Sequence, residues 1–378
     1  MNVAIVRGKY LNQFEMQNYA PLKRRFKITA FASLLPIHKN IGLPIKKLPS
    51  PMDLPNFPFK LPILNRLMVD AMYLVGLEKA LKGFDLACTR EAYFHFTKQA
   101  LIAKKKGYVK KVLITCSETI PGNHEGIWRR KAFKKRAIRE ADHFHCLTQK
   151  AKDCLVEEGC DPEKITVAGY GIDLNKFQVA SFKRQDKKQL RLLFVGRLVE
   201  EKGILDLLET FKSFQPPVAS HLTSLKLRRA SQSPELQIIG KGPLEKIIRK
   251  KCPSMIQKKV PYKNMPKVYQ SADIFVLPSK PTKHWEEYYG MALIEAMACG
   301  LPIVSTKSGA IHEVVGNAGI LVKPGNVRQL RKALGKLIED KSLRNSLGRK
   351  ARKRAEKYFD AKKQAVKLGK LWRKVLKK

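Results

Sequence analysis

Residues 283–305 read KHWEEYYGMALIEAMACGLPIVS. An acidic loop with Glu286 and Glu287 runs through two tyrosines to Gly290, and the run MALIEAMAC follows. That run is built from strong helix formers. Gly300 and Pro302 stop it, and IVST then reads as a buried strand. One acid, Glu287, lies in the loop before the helix, and another, Glu295, lies inside it, with Glu286 read as facing solvent. A carboxylate inside an apolar helix needs a specific hydrogen-bonding partner, so Glu295 is the first candidate for chemistry.

Outward from this stretch the chain alternates strands and helices. On the N-terminal side, strand-like runs occur at 2–7, 26–32, 84–88, 109–115 and 142–148, with a short one in KITVAGYGI. Helical spacing occupies 65–82, 91–105, 127–140 and 149–158, and 34–62 is irregular and Pro-rich with room for one strand. The polar run SFKRQDKKQ at 181–189 reads as a linker. Beyond it come strands at 190–196, 235–239 and 273–277 and a pair near 302–322, with helices at 204–213, 243–251 and 264–271 and an insertion at 214–233. Such alternation predicts parallel sheets covered on both faces: an α/β protein of two Rossmann-like domains. The expected bounds are 1–180, 181–355 and a terminal helix at 356–378, whose packing face would be Leu368, Leu371, Trp372 and Val375.

Composition narrows the function classes. The 378 residues hold 75 Lys and Arg against 32 Asp and Glu, a net charge of +43. That charge attracts polyanions: phosphorylated substrates, an anionic membrane surface or nucleic acid. No zinc-finger, RNP or helix-turn-helix signature accompanies it, so nucleic acid is not expected as a partner. A general compositional bias would produce the same charge. The seven cysteines form no CxxC pair and read as buried thiols of a reducing compartment. The N-terminus lacks the order of a signal peptide, and no apolar run is long enough to span a bilayer. A cytoplasmic protein, resting at most on a membrane face, is the expectation.

Ligands of open α/β sheets bind beyond the carboxyl ends of the strands. Three features of the second half fall there. Arg197 follows the strand ending at Gly196, and Lys202-Gly203 opens the next helix; two cations beside a helix start make an anion seat. Gly240-Lys241-Gly242 closes a neighbouring strand and lets a ligand approach the backbone. Gly290 leads into a helix whose first N–H groups lack helical partners. Together they suit a diphosphate flanked by sugars.

The segments VGRLVEEKG, IIGKGP, MPKVYQSADIFVLPS, EYYGMALIEAMACGLPIVST and SGAIHEVVGNAGILVKPGN resemble glycosyltransferase family 4, retaining enzymes of the GT-B architecture. The resemblance runs from about residue 140 onward and implies two Rossmann-like domains facing each other across a cleft, with the C-terminal helix returning to the first. It implies that Glu287, Arg197 and Lys202 are catalytic, with Glu287 beside the transferred sugar and the two cations on the diphosphate. Glu295 would hold the ribose hydroxyls. Gly196, Gly240, Lys241, Gly242, Tyr289, Gly290, Met291, Ala292 and Leu293 would complete the donor site, the N–H groups of 290–292 near the distal phosphate. The base is expected near Lys241 and 260–265.

The implied reaction moves a sugar from a nucleotide-diphosphate sugar to a glycan, lipid-linked or other hydroxyl acceptor, with no cofactor and no metal. Acceptor candidates are Gly8 and Lys9, after the first strand, and Glu118 and His124, in the loop CSETIPGNHEG. A paired glycine is usual in the family after the first strand, whereas here Gly8 is followed by Lys9. His143 and His145 alternate on a strand and read as packing residues. Two competing readings are a non-catalytic basic protein holding nucleic acid and a nucleotide-sugar epimerase or phosphorylase on the same scaffold.

Overall fold

The computed structural model describes residues 1–179, 189–215, 233–251, 256–257 and 260–377. The expected linker at 181–189 and the insertion at 214–233 lie largely outside these residues. Two compact units emerge, Met1–Ile172 with Asp360–Lys378, and Asp173–Phe359. The divisions thus fall at 172/173 and 359/360, against expected bounds of 180/181 and 355/356.

The first unit is built on a seven-stranded parallel sheet. Its strands are β1 (Asn2–Gly8), β2 (Lys27–Ala32), β3 (Ile45–Lys47), β4 (Phe84–Arg90), β5 (Val109–Cys116), β6 (His143–Cys146) and β7 (Ile165–Val167), in the order β3-β2-β1-β4-β5-β6-β7. The second unit carries β8 (Arg191–Val195), β9 (Glu235–Ile239), β10 (Ile256–Gln257), β11 (Ile274–Leu277), β12 (Ile303–Thr306) and β13 (Gly319–Val322), ordered β10-β9-β8-β11-β12-β13. Each order runs outward from the first strand in one direction and then restarts beside it, the doubly wound pattern. The crevice where the order reverses therefore lies between β1 and β4 in one unit, and between β8 and β11 in the other.

The strands are apolar on both faces because helices cover both. In β11 every residue is buried, and so is every residue of β12. Helix Met291–Ala298 follows β11 and is itself almost wholly buried, which explains why its sequence is apolar all round rather than striped.

Two helices depart from the sequence pattern. The expected helix over 65–82 is broken into Lys60–Met68 and Leu77–Ala80. Asp70 is the reason: its carboxylate accepts the amides of Met72 (2.9 Å) and His95 (3.2 Å), holding 70–76 as a loop. The helix expected from 91 starts at His95. Glu91 adopts a left-handed backbone (φ 51°), and its carboxylate accepts both the amide and hydroxyl of Ser117 (3.0 and 2.6 Å).

Two helices close the chain, and the second answers to the terminal helix expected at 356–378. Lys341–Tyr358 packs in the second unit through Leu347, Gly348, Ala351 and Ala355. Gly348 is required there, since a Cβ would meet the Gly300 carbonyl oxygen at 2.5 Å. Ala361–Lys377 belongs to the first unit, where Leu368, Leu371, Trp372 and Val375 are buried. The Trp372 ring stacks on Tyr19 (5.9 Å) and meets Phe26 edge-on (5.2 Å). A further helix, Val327–Glu339, buries Leu330, Leu334 and Leu337 and has no counterpart among the helices expected from the sequence.

Candidate active site

In the second unit the loops after β8, β9 and β11 interlock through their backbones. Gly196 N–H donates to the Ile239 carbonyl (3.0 Å), and Leu198 N–H donates to the Lys241 carbonyl (2.9 Å). The loops approach so closely that side chains are excluded. A Cβ on Gly240 would lie 1.9 Å from the Gly196 oxygen, and one on Gly242 would lie 2.3 Å from the Leu198 oxygen. Gly203, at φ +66°, would drive a Cβ to 1.8 Å from the Pro278 oxygen. These glycines serve loop packing first, and that packing sets where Arg197 and Lys202 stand.

Lys202 Nζ donates to Glu287 Oε2 at 2.6 Å, and Ser279 Oγ donates to the same oxygen at 3.0 Å. The lysine and glutamate side chains are 13% and 9% exposed, so the pair is nearly dry. Lys202 also lies 4.7 Å from the centre of the Trp285 ring. The Glu287 backbone is fixed as well: its carbonyl accepts from Ala310 N–H (2.9 Å), and a Cβ on Gly309 would meet that oxygen at 2.3 Å. Glu286 is buried, not solvent-facing, because the loop turns inward on both acids before reaching Gly290.

Gly290 caps helix Met291–Ala298 in a left-handed conformation (φ 71°). The Gly290 carbonyl accepts from Leu293 N–H (2.9 Å), so the Leu293 amide is already committed, and its side chain is fully buried. The Tyr289 ring is buried edge-on against Phe359 (6.2 Å). Arg197 differs from all of these: its side chain is 60% exposed and pairs loosely with Glu201 (3.8 Å).

One helical turn deeper, Glu295 is buried and accepts the Tyr269 hydroxyl at 2.7 Å. Burial pushes its pKa up to about 7, opposed by hydrogen bonds from Tyr269 and Tyr262. Tyr262 comes from the 260–265 segment. Sequence reasoning passes over Tyr262, Tyr269, Ser279 and Trp285. A tyrosine in an amphipathic helix and a serine after a strand look like ordinary packing until the fold brings them onto a carboxylate.

The first unit presents its own polar group where its strand order reverses. Arg7, at the end of β1, is buried and donates to Glu15 (2.7 Å). Glu15 also accepts from Tyr170 (2.6 Å) and from Arg90 (3.2 Å) at the end of β4. Burial alone would raise the Glu15 pKa, but Arg7 and Arg90 hold it below its usual value. Gly8 takes φ +55° ahead of Lys9. Glu118 is buried and accepts the amides of Thr119 and Ile120 and the side-chain amide of Asn123 (2.9, 3.0 and 3.1 Å). His124 Nε2 lies 3.4 Å from it. Burial works to raise the Glu118 pKa, yet His124 and these amides leave it lowered. His143 and His145 are packing residues: His145 is buried against the Ala168 carbonyl (2.5 Å), and burial lowers its pKa to about 4. Among the described residues, no three His, Cys, Asp or Glu side chains gather as a metal site.

Comparison with known proteins agrees with this architecture. The model of the glycosyl transferases group 1 family matches residues 176–354, and that of glycosyltransferase family 4 matches 42–176. The capsular polysaccharide biosynthesis glycosyltransferase CapM of Staphylococcus aureus is 29% identical over 214 residues, 52% of either chain. The chain thus spans about half the length of that curated relative. Sucrose-phosphate synthase of Thermosynechococcus elongatus superposes with TM-score 0.76 at 16% identity over 99% of both chains. HepE of Anabaena, in complex with UDP and glucose, superposes with TM-score 0.76 at 16% identity over 99% of this chain and 100% of that one. The two sheets and their flanking helices are those of the GT-B fold. The two matches fall on the two halves of the chain, the second half being similar to the group 1 glycosyl transferases and the first to glycosyltransferase family 4.

Proposed function

We propose that this chain transfers a sugar from a nucleotide-diphosphate sugar to a hydroxyl of a glycan or lipid-linked acceptor, with retention of anomeric configuration. The observation that carries the proposal is the Lys202–Glu287 pair beside the start of helix Met291–Ala298, with Arg197 exposed next to it in the chain. Breaking the anomeric C–O bond sends its electron pair to the departing diphosphate and leaves positive charge on the sugar. Arg197, Lys202 and the first N–H groups of the helix are suited to the negative charge, and Glu287 to the positive one. Such groups accelerate the step because their interaction grows as the charge develops. The acceptor hydroxyl attacks from the face the diphosphate leaves, and its proton passes to the departing phosphate oxygen. Glu295, in its ionised form, accepts the ribose hydroxyls. HepE, which shares the fold and binds UDP and glucose, supports a nucleotide-sugar donor by analogy. Glu118 and His124 are the proposed acceptor contacts.

Hydrolysis of a panel of UDP-, GDP- and ADP-sugars tests the donor. One class of donor should be consumed, and UDP or GDP should bind with affinity that falls in Arg197→Ala and Glu295→Ala. Wild-type nucleotide affinity in both variants would sink the donor site.

A further inference from the structure

Helix Lys341–Tyr358 sets three arginines on the ends of other helices of the second unit. The last four carbonyls of a helix have no helical partner, so each such end needs donors from elsewhere. Arg344 donates to the Leu337 and Ile338 carbonyls (2.6 and 2.8 Å), where helix Val327–Glu339 ends. Arg354 donates to those of Val314 and Glu313 (2.7 and 2.5 Å), where helix Ile311–Val315 ends. Arg352 serves helix Met291–Ala298. There the N–H groups of Cys299, Leu301 and Gly300 donate to the Glu295, Ala296 and Met297 carbonyls, and the fourth, that of Ala298, accepts from Arg352 (2.6 Å). The same Arg352 nitrogen donates to the Phe177 carbonyl (2.8 Å).

That second bond separates Arg352 from the other two arginines. Phe177 is buried, and its ring lies 5.9 Å from that of Tyr262 and 6.0 Å from that of Tyr269. These are the two tyrosines whose hydroxyls meet the buried Glu295, that of Tyr269 at 2.7 Å. Arg352 thus ties the backbone of the ring behind both tyrosines to the end of the helix that carries the carboxylate. Its own Nε pairs with Glu356 (2.6 Å), which holds the guanidinium in place. Around helix Met291–Ala298, strands β11 and β12 carry no titratable side chain in IFVL and IVST, and His312 of helix Ile311–Val315 bonds the Gly309 carbonyl (3.2 Å). Cys299, just past the end of that helix, lies near Tyr269. A hydrogen-bonding grip on a ligand-binding acid is only as well placed as the residues that back it. We infer that Arg352 is a positioning residue for nucleotide binding: it fixes Phe177 against Tyr262 and Tyr269, and through them the hydroxyls that grip Glu295. The inference rests on the reading of Glu295 as the acid that accepts the ribose hydroxyls.

The test is calorimetric titration of UDP and GDP into the full chain from pH 6 to pH 9. Burial raises the Glu295 pKa to about 7, and the tyrosine hydroxyls oppose that rise. Loosening them raises it further, so nucleotide affinity in Arg352→Met should level off about one pH unit above the wild type. Affinity at pH 7 should be about fivefold lower, with most of the gap closed at pH 9. Arg352→Lys, which restores a cation able to donate to both carbonyls, should return toward the wild-type curve. Phe177→Leu removes the ring and keeps both Arg352 bonds; it should shift the curve in the same direction, and it decides the matter where Arg352→Met fails to fold. Arg344→Met takes a cap from a helix that carries no donor residue, so it should lower the urea midpoint and leave the curve in place. The inference is overturned if the wild-type curve rises and Arg352→Met and Phe177→Leu follow it. It is equally overturned if Arg352→Met loses affinity by the same factor at every pH, or if Arg344→Met shifts the curve as far. A wild-type curve as flat as that of Glu295→Gln would remove the ribose reading itself, and this inference with it.

Discussion

Lys202 Nζ and Glu287 Oε2 stand 2.6 Å apart in a nearly dry pocket, joined across two loops that the sequence separates by 85 positions. The pair does two things at once. It holds the loop after β8 to the loop after β11, and it keeps a cation and a carboxylate together at the mouth of helix Met291–Ala298. Removing one partner of such a pair strands the other in low dielectric, which costs about 3–5 kcal/mol. Lys202→Ala should therefore lower the urea midpoint of the second unit as well as abolish transfer. Lys202→Met/Glu287→Leu should regain most of the stability and none of the activity. Equal midpoints for Lys202→Ala and wild type would show that the pair contributes nothing to the loop junction.

Glu295 makes stability fall as pH rises. Its folded pKa of about 7 lies above the ordinary 4.5, so the native state binds the extra proton between those values. Stability from this group is full below about pH 4.5 and is lost progressively up to about pH 7. Glu295→Gln should be more stable than wild type at pH 8, by up to about 3 kcal/mol, with the difference vanishing near pH 4.5. Denaturant melts of both proteins across pH 4–9 measure it.

If ionised Glu295 takes the ribose hydroxyls, nucleotide binding favours the deprotonated acid. Affinity for the nucleoside diphosphate should then rise with pH up to about 7 and level off, and the rise should be absent in Glu295→Gln. Calorimetric titrations at pH 6 and pH 8 distinguish the two. A wild-type profile as flat as that of the glutamine variant would contradict the role.

Trp372 anchors the terminal helix to the first unit between Tyr19 and Phe26. Its side chain is fully buried, so Trp372→Ala should cost about 3–5 kcal/mol. Proteolysis should then release a fragment beginning near Ala361. Resistance equal to wild type would mean the helix is held by its other contacts.

Gly203 tests the close approach of the loops. Gly203→Ala must displace the Pro278 carbonyl, which its Cβ would otherwise meet at 1.8 Å, and must also adopt φ +66°. A loss of stability of about 2 kcal/mol or more, with nucleotide affinity reduced, is expected. Wild-type behaviour would show that the loop after β8 can move without consequence.

The legible parts were those that repeat along the chain. Runs such as LLFV and IFVL read as strands covered on both faces, and their alternation with helices predicts parallel sheets. Glu295 announced itself as a carboxylate in an apolar helix, and it is buried on a tyrosine. The acids of the loop were harder. Glu286 and Glu287 are neighbours with the same side chain, and nothing local says that both turn inward. The break in 65–82 was equally hidden, because apolar spacing continues through it while Asp70 spends its carboxylate on amides of Met72 and His95.

Local patterning is a property of neighbours in the chain, and by itself it determined most strands, most helices, the two-domain α/β class and the stretch where the donor chemistry is sought. Partnership across the fold is a property of distant residues brought within a few ångströms. Only the tertiary structure decided that Lys202 and Ser279 meet on Glu287, that Tyr269 reaches Glu295, and that Arg130 reaches the Val69 carbonyl.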